Sequence, residues 1–313
     1  MFRMRISRLF IVVLAILILV LAPARPVLLG QQSPQTPVIR AQVNLVNVLF
    51  SVFDKKGKHI EGLTKKDVEV YEDGVKQNIE YFRSEGDSDD QAEPLTIVLL
   101  VDTSGSVKDK LAFEQTISND FFRSILRPKK DLAAIVQFDS EVALVQDFTD
   151  DLNRLETALR SLRAGGSTML YDAVYIASED VLKSEAGRKV IIILSDGADT
   201  ASRTTRKESI VTAQKDDVII FGIGVKSPEF PEDFGALKEL SRETGGQFFN
   251  PKTSMREISE AFQQVLMTLK KQYNISYYSS NAAKDGSFRR LQVRIKRDNL
   301  RVVHRSGYYA PRA

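Results

Sequence analysis

The sequence predicts an α/β protein built on a doubly wound, mostly parallel six-stranded sheet, accompanied by an all-β, sandwich-like part drawn from the N- and C-terminal flanks. Three observations predict it. The run Leu95 to Val101 carries no charge and is apolar or β-branched throughout, as in a strand buried on both faces of a parallel sheet. From Leu95 to about Tyr273 such runs alternate with stretches of helical apolar spacing. Before and after that region, over residues 41–93 and 273–313, apolar residues recur with a period of two. At 313 residues, 43% hydrophobic and 27% charged, the chain is long enough for about two domains.

In chain order, Arg3, Arg5 and Arg8 precede an uncharged apolar run from Leu9 to Ala22, the length of a signal-peptide core and short for a membrane span. Ala22-Pro23-Ala24 offers small residues for cleavage, so residues 1–24 read as a signal peptide of a secreted, periplasmic or cell-envelope protein. Pro23 and Arg25 keep an uncleaved anchor as the competing reading, and that anchor is the only membrane attachment expected. The net charge of +3 becomes neutral without the three leader arginines, so nucleic acid is not an expected partner. With no cysteine there is neither a disulfide nor a lipidated Cys, and an exported chain must rely on its core, on metal, or on both. Residues 25–40 read as a linker, polar and Pro-bearing from Gln31 to Val38.

Val43, Leu45, Val46, Val48, Phe50 and Val52 predict a strand ended by the turn Asp54-Lys-Lys-Gly57. Val68 and Val70 lead to the turn Glu72-Asp73-Gly74, and Val75 to Phe82 reads as one further strand. Residues 84–93 form an acidic stretch. Its Asp87 and Asp89 do not make a calcium loop, because the positions that need Gly and Glu hold Ala92 and Val98.

Within residues 94–272, helices are predicted at Leu111–Leu126, Leu152–Leu162, Leu170–Leu182, Thr205–Gln214, Phe234–Glu243 and Ser254–Gln272. Strands are predicted at Leu132–Phe138, Val142–Val145, Val190–Leu194, Val218–Ile223 and Gln247–Phe249. Only Asp139-Ser-Glu separates the first two of these, which permits a hairpin and not a crossover, so one strand is antiparallel and belongs at the sheet edge.

The chemistry concentrates where strands end. Asp102-Thr-Ser-Gly-Ser106 follows the first buried strand, and ligands of open α/β sheets bind at that edge. Alone, the stretch reads equally as an oxygen site for a small hard cation or as a turn capping the next helix. Two further features converge on it. Gly165-Gly-Ser-Thr168 places hydroxyls before a helix, and Ser195-Asp196-Gly197 ends another buried strand. If the two strands are neighbours, Asp102 and Asp196 face one ion, and with three hydroxyls they make a balanced shell for Mg²⁺.

These residues, in this order and approximate spacing, resemble the metal-ion-dependent adhesion site of von Willebrand factor type A domains. The resemblance covers about residues 94–272. With Glu72-Asp73-Gly74 before it and Ser306-Gly-Tyr-Tyr309 after it, the chain is similar to secreted bacterial proteins of this family of the acidobacterial type. It implies that Asp102, Ser104, Ser106, Thr168 and Asp196 surround the cation. Ser104 and Ser106 would be direct ligands, Thr168 direct or through water, and the acids partly through water. Mg²⁺ is the implied ion, with Mn²⁺ or Ca²⁺ as alternatives, and the implied partner is a protein presenting an Asp or Glu carboxylate. In related adhesion domains the last helix, here Ser254–Gln272, shifts on binding.

Beyond Gln272, Tyr273, Ile275 and Tyr277 alternate, Phe288 to Ile295 gives another strand, and Leu300 to Tyr309 reads as a last one. Neither flank makes a core alone, so both are expected to fold together around an inserted α/β unit. Catalysis is not expected. There is no Cys, and His59 and His304 read as surface residues. Phe221-Gly-Ile-Gly224 lacks a third glycine at Ser227 and reads as close backbone packing, not as a dinucleotide loop. Arg289-Arg290, Arg294 and Arg297 read as a solvated strand face, and the Asn274-Ile-Ser276 sequon carries little weight inside a strand. Two functions stand: a cation-dependent protein-binding module for adhesion or assembly, and a metal-stabilised structural component of the envelope that captures no ligand. A phosphoesterase is a distant third, since no general base is evident.

Overall fold

The computed structural model describes residues 45–84, 92–225, 233–251 and 255–312. The leader, the linker, Asp87, Asp89 and Ser227 lie outside them. The strands are β1 (Leu45–Phe53), β2 (Val68–Glu72), β3 (Val75–Gln77), β4 (Ile79–Ser84), β5 (Leu95–Asp102), β6 (Leu132–Phe138) and β7 (Val142–Thr149). They continue with β8 (Arg188–Ser195), β9 (Ile219–Gly224), β10 (Phe248–Phe249), β11 (Tyr273–Tyr278), β12 (Phe288–Ile295), β13 (Arg301–His304) and β14 (Gly307–Tyr309). The helices are α1 (Leu111–Ile125), α2 (Leu152–Ser161), α3 (Leu170–Ile176), α4 (Arg206–Lys215), α5 (Gly235–Thr244) and α6 (Met255–Lys270).

The central sheet has six strands in the order β10-β9-β8-β5-β6-β7. All pairs are parallel except β6 with β7, the hairpin at the edge. Every residue of β5 is buried because helices cover both faces. Ile97, Leu99 and Val101 pack on one side with Phe121 of α1, Leu155 of α2 and Phe262 of α6. Val98 and Leu100 pack on the other with Val174 of α3, Ile210 of α4 and Leu237 of α5. Local chemistry sets the helix ends: Asp151 accepts from Asn153 N–H and Arg154 N–H at the start of α2, and Thr205 with Glu208 forms a capping box for α4. The predicted helix over Leu170–Leu182 is α only to Ile176 and continues through Leu182 as a wider π turn. The glycines of Phe221-Gly-Ile-Gly224 do serve close packing, since a Cβ on Gly224 would lie 2.8 Å from the Phe234 ring.

The flanks form two antiparallel sheets, ordered β13-β1-β11-β4 and β14-β12-β2-β3. Val46, Val48, Phe50, Tyr273, Ile275 and Tyr277 from the first pack on Val68, Val70, Leu291 and Val293 from the second. The expected single strand over Val75–Phe82 is two strands in different sheets, β3 pairing with β2 and β4 with β11. Burial alternates straight through the switch, with Gln77 and Ile79 both buried, so a period of two gives no sign of a change of partner. The expected strand over Leu300–Tyr309 likewise splits at Arg305-Ser306 into β13, paired with β1, and β14, paired with β12.

Two further expectations are corrected. Arg289 is not on a solvated face: it is 1% exposed and ion-paired with Glu72 at 3.2 Å, while Arg290 is exposed. His59 and His304 are half-buried, not surface residues. His59 packs at a tilt against the Phe53 ring and shares a hydrogen bond with Thr268 Oγ1, whereas His304 Nε2 accepts from Val293 N–H. Burial holds both imidazoles below their usual pKa, in keeping with structural roles.

Candidate metal centre

The site starts from the register of two neighbouring strands. β5 and β8 are parallel, with Val101 opposite Leu194, so Asp102 and the Ser195-Asp196 pair emerge side by side at the carboxyl edge. Asp102 is wholly buried. Its Oδ1 accepts from Ser104 N–H at 2.9 Å and its Oδ2 from Ser195 Oγ at 2.6 Å. Ser104 Oγ lies 3.0 Å from Ser106 Oγ, which donates to Asp196 Oδ2 at 2.6 Å. Four of the five sequence-predicted residues are thus linked through one cluster of hydrogen bonds, with Ser195 beside Asp102.

Thr168 makes none of those hydrogen bonds. It is 4% exposed, its N–H donates to Thr200 Oγ1 at 3.0 Å, and its carbonyl accepts from Thr200 and Ala201. Its loop is nonetheless stitched to the same turn, since Gly105 N–H donates to Gly166 C=O at 3.1 Å and Gly165 N–H to Thr103 C=O at 2.7 Å. Gly166 is required here: its φ is +85°, and a Cβ would stand 2.5 Å from Ser140 Oγ.

Burial, outweighing the bonds from Ser104 and Ser195, pushes the Asp102 carboxyl up to about 6, and nearby Asp196 adds to the rise. Sequence reasoning missed two residues that matter. In the sequence Ser195 stands only as a neighbour of Asp196, yet besides donating to Asp102 it accepts from Gly197 N–H at 3.0 Å and so fixes the turn that carries Asp196. Glu114, in the first turn of α1, is 1% exposed and neither of its carboxylate oxygens has a hydrogen-bond partner. Burial and the charge of Asp102 push it up to about 8, against the pull of Lys110. Its signal was an acid within the apolar stripe Leu111, Ile117, Phe121 of an otherwise amphipathic helix.

The residues fit a small hard cation. Ligands on adjacent corners of an octahedron with bonds of about 2.0–2.1 Å stand about 2.9 Å apart. The spacings of 3.0 and 2.6 Å along Ser104, Ser106 and Asp196 lie close to that. A positive charge beside Asp102 would also reverse the cost of burying its carboxylate. Among the described residues no group of three or more His, Cys, Asp or Glu assembles to hold a metal, so a site here rests on hydroxyls with two acids.

An uncharacterized protein of Borreliella burgdorferi is 26% identical over 183 residues, 49% of this chain and 53% of that protein, so the chain spans about half the length of this curated relative. Among solved structures, von Willebrand factor type A from Catenulispora acidiphila is 13% identical over 70% of this chain and 67% of that one, with a TM-score of 0.49. Proximal thread matrix protein 1 from the mussel byssus, with a zinc-occupied MIDAS motif, is 17% identical over 59% of this chain and 47% of that one, again with a TM-score of 0.49. A family model described as the von Willebrand factor type A domain matches residues 96–264, from β5 into α6, and with more than half of its length matched this chain belongs to that family.

Proposed function

We propose that the chain is an exported, divalent-cation-dependent protein-binding module that works in adhesion or assembly at the cell envelope. The leader over residues 1–24 would be removed and the α/β unit, 94–272, presented by a sandwich of 41–93 and 273–313. Von Willebrand factor type A domains are generally interaction modules and not enzymes. The observation that carries the reading is the hydrogen-bonded string Asp102, Ser104, Ser106 and Asp196 at the sheet edge, buried except at half-buried Ser106, a hydroxyl-rich donor set with only two acids. Asp102, Ser104, Ser106, Thr168 and Asp196 would hold Mg²⁺, or Mn²⁺ or Ca²⁺ in its place. Few anionic ligands leave such an ion electron-poor, and it would supply an open coordination position for an Asp or Glu carboxylate of the partner. Ser195 orients Asp102, and the Gly165-Gly166 loop ties the segment that carries Thr168 to the Thr103–Gly105 turn.

The test is thermal unfolding of the chain in EDTA and in millimolar Mg²⁺, for wild type and Asp102→Ala. At a hundred times its dissociation constant the ion stabilises by about 2.7 kcal/mol, a rise of roughly 5–10 °C for a protein of this size. Wild type should show the rise and Asp102→Ala should not. Capture of a carboxylate-bearing partner that EDTA abolishes then separates a binding module from an envelope component that uses the ion only for stability. Equal midpoints for wild type in both media would remove the reading.

A further inference from the structure

The central sheet and the sandwich each present a strand that has one neighbour among the described strands. β10 pairs with β9, and β13 pairs with β1. Between these two edges lies a cleft of about 610 Å³, within the range of roughly 300–1,000 Å³ that ligand sites occupy. One wall is Arg301–His304, the whole of β13, and the other is Gly246–Phe249, which leads into and forms β10. Successive side chains of a strand point to opposite faces, so consecutive residues line a cleft together when the backbone edge itself is the wall. β13 runs antiparallel to β1, and in such a pair alternate residues turn both N–H and C=O away from the neighbour. The free edge of β13 therefore offers main-chain groups to which an extended peptide adds as a further strand.

The charge in the cleft has one sign. Lys238 and Arg242, one turn apart on α5, line it with Arg301, and among the described residues no acid does. Arg242 is paired with Glu243 at 2.7 Å. Lys238 Nζ stands 5.6 Å from the centre of the Phe248 ring, and the Arg301 guanidinium 4.7 Å from that of Phe53 and 3.4 Å from Gln247 Oε1. Neither Lys238 nor Arg301 has a carboxylate partner among the described residues. The acids on the same helices are engaged elsewhere, Glu239 with Arg206 at 3.1 Å and Glu260 with Arg256 at 2.7 Å. Lys238 and Arg301 are exposed, so an incoming carboxylate reaches them without displacing protein.

We propose that this cleft docks an extended acidic segment of a partner protein, which lies along the β13 edge and sets its carboxylates on Arg301 and Lys238. Main-chain bonds along the edge supply affinity, and the two cations select for negative charge. A free phosphate would use the cations and leave the strand edges idle. β10 stands three strands from β5, about 14 Å at sheet spacing, so the cleft is a surface apart from the cation centre and needs no metal.

The experiment follows the fluorescence anisotropy of dye-labelled Glu-Val-Glu-Val-Glu-Val-Glu as the full chain is added in EDTA. Leaving the cation centre without metal keeps this test separate from that of cation-dependent capture. The same peptide with Gln for Glu, and one N-methylated at alternate residues, are the controls. Lys238→Glu and Arg301→Glu are measured alongside, each checked for an unchanged unfolding midpoint, so that one carries the test if the other fails to fold. Saturable binding of the acidic peptide is expected. It should weaken at least about tenfold in either variant and for either control peptide, the size of one charge-assisted contact or a pair of main-chain bonds. No saturation with folded wild type overturns the proposal. So does binding that needs Mg²⁺, that survives both substitutions, or that is as tight for the N-methylated peptide. If sedimentation shows two copies of the chain associated and the peptide separating them, the occupant is a second copy and the proposal is likewise overturned.

Discussion

Arg289 donates through Nη1 to Glu72 Oε1 at 3.2 Å with both side chains 2% exposed, and so joins the strand before the α/β insertion to a strand after it. Glu72 also accepts from Tyr277 Oη at 2.7 Å, Ser279 Oγ at 2.6 Å and Tyr308 Oη at 2.9 Å. One carboxylate therefore collects donors from β11, β12, β14 and the chain after β11, and the insertion is closed at its base by a buried polar hub.

Arg289→Ala strands that carboxylate without its cation, a change that costs about 3–5 kcal/mol. Urea unfolding should show a midpoint lowered accordingly. The double variant Glu72→Leu with Arg289→Met should recover only part of the loss, because the Tyr277, Ser279 and Tyr308 hydroxyls then lose their shared acceptor.

Glu114 makes the cation-free protein pH-sensitive. Its carboxyl is raised in the folded state from 4.5 to about 8, so between those values the native protein binds the proton and the unfolded chain does not. Stability therefore falls as pH rises across that window. Glu114→Gln should remove most of the slope and be more stable than wild type at pH 8.5 by at least about 1 kcal/mol. Asp102 leaves a smaller fall between 3.8 and about 6 in both proteins, by the same sign. Chemical denaturation at pH 5, 7 and 8.5 in EDTA checks both.

Protons and cation should compete at Asp102. With its carboxyl pushed up to about 6, the stabilisation by Mg²⁺ is expected in full near pH 7.5 and should shrink as pH drops through 6. Ser195→Ala removes the donor to Oδ2, which favours the protonated acid, and should move that loss to higher pH. Midpoint shifts with and without Mg²⁺ across pH 5 to 8 report it.

Gly166→Ala tests the loop that carries Thr168. A Cβ at φ +85° and 2.5 Å from Ser140 Oγ must displace the loop or the β6–β7 turn. The conformational term alone costs about 1 kcal/mol. The stability loss in EDTA should be at least that figure, while the Mg²⁺-induced shift should fall by more than half. Equal Mg²⁺ shifts in the two proteins would show that Thr168 lies outside the cation shell.

The α/β sheet was legible because its signals are local. Uncharged runs such as Leu95–Val101 are buried on both sides, and the three-residue link Asp139–Glu141 leaves only a hairpin. The site was legible for a related reason: Asp102, Ser104 and Ser106 sit on one turn, and parallel pairing brings Asp196 to the same edge. Ser195 and Glu114 were not, because their importance lies in a contact with Asp102 across two strands and in burial behind the turn.

By itself the sequence determined the α/β elements of the central sheet and placed Asp102, Ser104, Ser106 and Asp196 at its edge, since both follow from periodicity and from residues close in the chain. Tertiary structure alone decided that β3 and β4 belong to different sheets, that Arg289 is buried on Glu72, and that Arg305 turns from the sandwich to the α/β unit. A period of two fixes which face a side chain takes but not which strand lies beside it. An arginine in such a pattern is solvated or buried according to whether the fold brings it a carboxylate, here from 217 residues away.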